Sequence, residues 1–258
     1  MQQYFVAGKT QDEVTITDKD TMKHMFQVMR LADGDEVVLV FDDHIKRLAK
    51  VLDSSSHRFQ ILETLDSDVE LPVDVTIAVG FPKGDKLEFL AQKTTELGAN
   101  QLWAFPADWS VVKWDGKKLA KKGDKLAKIT LGAAEQSKRN RVPEVTLFEK
   151  KADFLAGLSS FDKVFIAYEE SAKEGETAAL ARELSRMTAG EKLLFIFGPE
   201  GGISPEEIAA FEAHGGQTIG LGPRIMRAET APLYALSSIS YALELQKKEL
   251  LSVEKKSL

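Results

Sequence analysis

Over its first seventy or so residues the chain alternates apolar and polar positions in short runs. "DEVVLVF" (35–41), "RLAKVLDS" (47–54) and "RFQILETL" (58–65) are alternating or β-branched and are split by polar turns. That period of two predicts strands. "TMKHMFQVMRL" (21–31) is the one helical stretch among them. The pattern predicts a small all-β barrel over residues 1–70. Acidic, proline-ended "DSDVELP" (66–72) reads as the linker that follows it.

From residue 73 the pattern changes to strands alternating with helices. Strands are predicted at "VDVTIAVG" (73–80), "QLWAFP" (101–106), "KVFIAYE" (163–169), "KLLFIF" (192–197) and "QTIGLG" (217–222). Between them fall helical stretches: "KLEFLAQKTTELG" (86–98), a basic helix over 117–128, a further helix "ITLGAAEQS" (129–137), one near 177–187 and a last one over about 230–248. The last places Leu236, Ile239 and Leu243 on one face. Alternation of this kind predicts a mostly parallel α/β sheet over residues 73–258.

Charge changes this picture locally. Residues 113–141 carry ten basic side chains against three acidic ones, on a chain of 258 residues whose net charge is −6. A basic face on an acidic body attracts a polyanion, because a phosphate backbone feels the nearby field more than the screened total. A solvated lysine-rich helix is the alternative for residues 117–128. "SKRNR" (137–141) is different: five polar or basic residues in a row make a poor core. Arg139 and Arg141 are therefore expected at a polyanion, together with Lys113, Lys138 and Arg30.

Composition removes several chemistries. There is no cysteine, which excludes disulfides, thiolate metal sites, iron–sulfur clusters and thiol nucleophiles. The four histidines are scattered, with no pair at the spacing of a helical zinc site. "DDHI" (42–45) reads as a solvated turn rather than a ligand set, and no metal is expected. No apolar run reaches the roughly 18 residues of a membrane span, and the N-terminus lacks a signal peptide's basic and apolar regions. A cytoplasmic protein without membrane attachment is expected.

The chemistry concentrates in "FIFGPEGGISPEEIAAF" (195–211). The strand ends at Phe197 and passes through Gly198, Pro199, Glu200, Gly201 and Gly202 into a helix with Ser204 as N-cap, Pro205 at N1 and Glu207 at N3. The glycines need no side-chain room, so a flat ligand can approach the backbone. The loop lacks the Gly-Lys-Ser/Thr ending of a phosphate-binding loop, and Glu200 repels a triphosphate. A second loop, "GLGPRIMRAETA" (220–231), also follows a strand. The two loops can wall a crevice for an adenosine-like group, with Ile225 and Leu233 against its faces.

The pair "FIFGPEGGISPEE" and "LGPRIMRAETA", with "KLEFLAQKTTELG", "EQSKRNRVPEV", "QQYFV" and "HMFQVMRLADGD" upstream, resembles the ribosomal RNA small-subunit methyltransferase E family of the SPOUT superfamily. The resemblance spans nearly the whole chain. It implies a PUA-like RNA-binding β barrel, then a SPOUT-type α/β domain with a C-terminal trefoil knot. It implies S-adenosyl-L-methionine as methyl donor, a homodimer, and N3-methyluridine in 16S ribosomal RNA as product, the substrate being the RNA or the small ribosomal subunit. It assigns the cofactor to residues 198–202 and to Leu221, Gly222, Pro223, Arg224 and Ile225. Arg227, Glu229 and Thr230 fall at the family's R-x-E-T positions, which makes Arg227 and Glu229 the catalytic candidates.

Three departures stand out. The family usually has arginine where this chain has Gln3 and Trp109, and "DDHIKRL" replaces a more glycine-rich turn. Each change bears on RNA contacts rather than on the cofactor site.

The missing cysteine agrees with a nitrogen acceptor. Methylating C5 of a pyrimidine ordinarily requires a thiol adduct, and an unactivated carbon requires a radical cluster. A nitrogen requires only a lost proton and an aligned methyl donor. A ribose hydroxyl, a transfer RNA substrate, or an inactive RNA-binding assembly factor are the alternatives.

Overall fold

Residues 1–168 and 179–246 are described by the computed structural model. They divide into two units: Met1–Glu70 together with Ala134–Arg141, and the remainder of the chain from Leu71 onward.

The first unit contains β1 (Gln3–Phe5), β2 (Glu13–Thr15), α1 (Lys19–Met22) running into a π-helical turn (Lys23–Val28), β3 (Glu36–Val40), β4 (Lys46–Asp53) and β5 (Arg58–Thr64). The strands lie in the order β1-β3-β4-β5-β2, all antiparallel except β1 on β3. Alternate residues point to opposite faces of a strand, so Val37 and Leu39 of β3 meet Ala49 and Val51 of β4 and Phe59 of β5 in one core, with Tyr4 and Met25. No ladder joins β1 to β2, so backbone pairing leaves the expected barrel open at this seam.

Residues 134–141 belong to this unit because polar groups stitch them in. Arg139 is 2% exposed and its guanidinium pairs with Glu70, Nε lying 2.9 and 3.0 Å from the two carboxylate oxygens. The backbone N–H groups of Asn140 and Arg141 donate to the same carboxylate. Asn140 Nδ2 donates to the carbonyls of His44 and Ser67. The acidic stretch read as a linker is therefore anchored at Glu70.

The second unit contains β6 (Asp74–Gly80), α2 (Lys86–Glu96), β7 (Gln101–Phe105), α3 (Gly116–Gln136, whose last three residues belong to the first unit), β8 (Glu144–Leu147), α4 (Lys151–Gly157), β9 (Lys163–Ala167), α5 (Ala179–Arg186), β10 (Lys192–Phe197), α6 (Pro205–Ala213), β11 (Gly216–Ile219) and α7 (Ala231–Ser240). Among the described residues its six strands are all parallel, in the order β11-β9-β10-β6-β7-β8. Strands buried on both faces read as unbroken apolar runs. In β10, Leu193, Phe195 and Phe197 join one core and Leu194 and Ile196 the other.

Three expectations change. The basic helix and "ITLGAAEQS" form one helix, α3, because Leu119, Leu126 and Ala133 recur every seven residues as a buried stripe. β8 and α4 were not expected. The last helix runs as α7 and a π-helical segment (Tyr241–Gln246). Its expected end at 247–248, the strand end at Glu169 and the helix start at 177–178 lie outside the described residues.

β6 and β10 are neighbours, yet the chain leaves β6 toward β7 on one side and leaves β10 toward β11 on the other. Such a switch point opens a crevice at the carboxyl ends of the strands, where α/β sheets bind ligands.

Candidate active site

The loop after β10 enters the crevice, and its shape is fixed by the helix that follows. Ser204 caps α6 by accepting from Glu207 N, while the Glu207 side chain accepts from Ser204 N, the reciprocal cap read from the sequence. Backbone then folds on itself: a Cβ on Gly198 would stand 2.5 Å from the Gly202 carbonyl carbon. Gly202 and Gly222 have φ of +84° and +95°, conformations that L side chains rarely adopt.

The two glycine loops face each other across a cleft of about 880 Å³. Phe197, Gly198, Pro199, Glu200, Gly201, Gly202, Leu221, Gly222, Pro223, Arg224, Ile225 and Arg227 all line it. Leu233 does not; it packs against the hydrophobic core instead, because α7 turns that side chain inward. Ile225 is 75% exposed, so it offers a free apolar surface to the cleft.

Lys86, unread in the sequence, also lines the cleft. Its ammonium lies 3.0 Å from Glu200 Oε1 and 3.0 Å from Glu229 Oε2, and so bridges both loops. A lysine in a helix's first turn opposes the helix dipole, and anionic partners offset that. That was the available signal. Hydrogen bonding first to Glu200 and then to Glu229 raises the Lys86 ammonium above its ordinary value. Lys86 in turn holds the Glu229 carboxyl below the usual carboxylate range, with Arg227 adding to the effect against a partial burial cost. For Glu200, burial is the largest influence and pushes upward. Lys86, backbone donors and Lys83 outweigh it, so the net shift is downward.

The residues suit a nucleoside-type ligand. The cradle presents backbone rather than side chain, and its glycines leave no room for a Cβ at Gly198 or Gly201. Glu229 Oε2 is buried against the Lys86 ammonium, 3.0 Å away.

The expected RNA contacts separate by exposure. Lys113, Arg141 and Arg30 are exposed, the last with φ of 58°. Lys138 is half-buried and donates to the Met1 carbonyl. Arg139 corrects the reading: its ion pair with Glu70 removes it from the surface. Gln3 is likewise buried and donates to the Arg139 carbonyl, a structural contact at a position expected to face RNA. Among the described residues no group of three His, Asp or Glu could hold a metal ion, and no helix is long and apolar enough to cross a membrane.

A parallel sheet with a glycine-walled crevice at its switch point, joined to a small β unit, defines the class of two-domain RNA methyltransferases. Residues 69–240 match the family described as "RNA methyltransferase domain", and residues 16–64 match "RNA methyltransferase PUA domain". The chain belongs to the ribosomal RNA small-subunit methyltransferase E family. It is 43% identical over 251 residues to ribosomal RNA small subunit methyltransferase E of Bacillus subtilis, covering 95% of this chain and 98% of that protein. The Synechocystis protein of the same name is 31% identical over 90% of this chain and 75% of its own length. A crystal structure of the Neisseria gonorrhoeae protein of that name, bound to S-adenosyl methionine, superposes with a TM-score of 0.77 at 26% identity, covering 93% of this chain and 97% of that one.

Proposed function

We propose that this protein transfers the methyl group of S-adenosyl-L-methionine to N3 of a specific uridine in 16S ribosomal RNA. The observation that carries this reading is the cleft itself, in which two backbone-lined glycine loops converge on Arg227 and Lys86, with Glu229 behind Lys86 as its ion-pair partner. Residues 198–202 and 221–225 would hold the cofactor. When bound, it supplies an electrophilic methyl on a sulfonium sulfur.

The chain's own task is to bring uracil to that methyl as an anion, since N3 is a weak acid that must lose its proton before it can attack. Arg227 is exposed in the cleft and stabilises charge on the uracil oxygens. Glu229, held ionised by Lys86, is a weak base, so the N3 proton passes to solvent water and stabilisation of the resulting anion by Arg227 carries the step.

The reading includes a PUA-like unit over residues 1–70 that holds RNA, a methyltransferase domain over 73–258 with a trefoil knot, a homodimer and a cytoplasmic location. An apolar groove of about 530 Å³ between α5 and the C-terminal helix supports the dimer. Tyr241 and Leu245 stand 60% and 61% exposed on that helix, and a second copy is the partner expected to cover them. Mass spectrometry of 16S nucleosides from a deletion strain tests the activity. Loss of N3-methyluridine, restored by the purified protein with S-adenosylmethionine, is expected. Loss of a 2′-O-methyl nucleoside, or no loss, overturns it.

A further inference from the structure

Trp109 comes from the loop after β7, two strands away from β10 and on the side opposite β9 and β11. The glycine loops that cradle the cofactor follow β10 and β11. Trp109 therefore enters the cleft from the far side. It is 47% exposed, whereas Trp103 and Trp114 are each 8% exposed. A large indole half in water leaves part of its apolar surface uncovered.

Its mounting is rigid. A Cβ on Gly201 would stand 2.9 Å from Trp109 Cβ, and one on Gly202 would stand 3.7 Å from Trp109 Cζ3, so the absence of side chains lets the indole lie against the loop. The preceding residue is pinned on three sides. Asp108 N donates to Glu207 Oε1 at 2.9 Å, its carboxylate accepts from Ser204 Oγ at 2.9 Å, and it pairs with Lys151. Ser110 N then closes the turn onto the Ala107 carbonyl at 3.0 Å. A pre-organised aromatic surface loses little entropy on binding.

We propose that Trp109 is the platform on which an unpaired base of the RNA stacks at the mouth of the cofactor cleft, with exposed Lys113, four residues further along the chain, taking the adjoining phosphate. Aromatic faces bind unstacked bases, and a nearby cation tracks the backbone. The proposal rests on the RNA methyltransferase reading and adds a contact that selects single-stranded or flipped RNA.

The test compares Trp109→Phe and Trp109→Leu with the wild type, using 16S RNA and S-adenosylmethionine. Trp109→Leu should raise KM for RNA about tenfold, within the range of base–aromatic stacking. Trp109→Phe should recover most of that loss, and cofactor affinity by calorimetry should stay within about twofold. Wild-type emission should be quenched by a uridine-rich single-stranded RNA, and the quench should vanish in Trp109→Phe. This fluorescence arm requires no leucine variant to fold. A wild-type KM in Trp109→Leu, equal loss in Phe and Leu variants, a fall in cofactor affinity matching that for RNA, or a quench that survives Trp109→Phe each overturns the proposal. Failure of the wild type itself to methylate 16S RNA would instead count against the activity.

Discussion

Lys86 Nζ lies 3.0 Å from Glu229 Oε2, so the ammonium at the start of α2 meets the carboxylate of the second glycine loop. The pair makes a prediction about charge rather than shape. Lys86→Met removes the main influence that depresses the Glu229 carboxyl. That carboxyl should then titrate at higher pH, moving the acid limb of the methylation profile upward if its ionised form is required. Arg227→Ala should slow single-turnover methylation at least about tenfold, about 1.4 kcal/mol of barrier, with little change in cofactor affinity. Glu229→Gln with full rate and an unshifted profile, beside a slow Arg227→Ala, assigns the step to anion stabilisation alone.

The glycine loops give a prediction about backbone. A Cβ on Gly222 meets open space, with Tyr234 Oη 3.8 Å away, but φ is +95°. Gly222→Ala thus tests conformation, and Gly201→Ala tests the 2.9 Å approach to Trp109 Cβ. Both should weaken S-adenosylmethionine binding in calorimetry. Only Gly201→Ala should also change tryptophan emission. Unchanged affinity in both folded variants would remove these loops from the cofactor site.

Much of this architecture was legible because its causes are local. The Ser204–Glu207 cap lies within one helical turn, and β10 announced its two buried faces as "KLLFIF". What could not be read depends on partners distant in sequence. "SKRNR" looks like surface because the partner that buries its arginine lies 69 residues away in sequence, where the fold brings Glu70 to Arg139. Lys86 met Glu200 and Glu229 in the same way. The sequence of α3 reads as two helices at its small and β-branched residues, and tertiary burial of Leu119, Leu126 and Ala133 overrides that weak local preference.

Arg139 and Arg141 are two residues apart and should behave oppositely. Arg139→Ala leaves the largely buried Glu70 carboxylate without its guanidinium, a change that costs about 3 kcal/mol or more. Arg141→Ala touches an exposed side chain. It should leave stability unchanged and reduce the log–log salt slope of RNA binding by roughly 0.7 to 0.9 if the side chain meets one phosphate. Chemical denaturation and salt-titrated RNA binding separate the two. A stable Arg139→Ala would contradict the structural role of the pair.

Glu135 provides a pH test of the N-terminal unit. Burial raises its carboxyl to about 7, against a backbone hydrogen bond from Phe5 and the charge of Lys138, which pull downward. Burial also raises the neighbouring Tyr4 hydroxyl to about 12, with the Glu135 charge adding to it. In the unfolded chain Glu135 titrates at its ordinary value, so between that value and about 7 the folded state holds a proton that the unfolded state has lost. Stability therefore falls as pH rises through this window, since stability declines wherever the folded state binds more protons. Below the window both states are protonated and the contribution is fully present. Glu135→Gln keeps the shape and removes the titration. The urea midpoint of the wild type should drop between pH 5 and pH 7 more steeply than that of Glu135→Gln, with the two proteins converging in slope above pH 8. Parallel curves across the whole range would mean that Glu135 is ionised at neutral pH in the folded protein, and that Phe5 and Lys138 outweigh its burial.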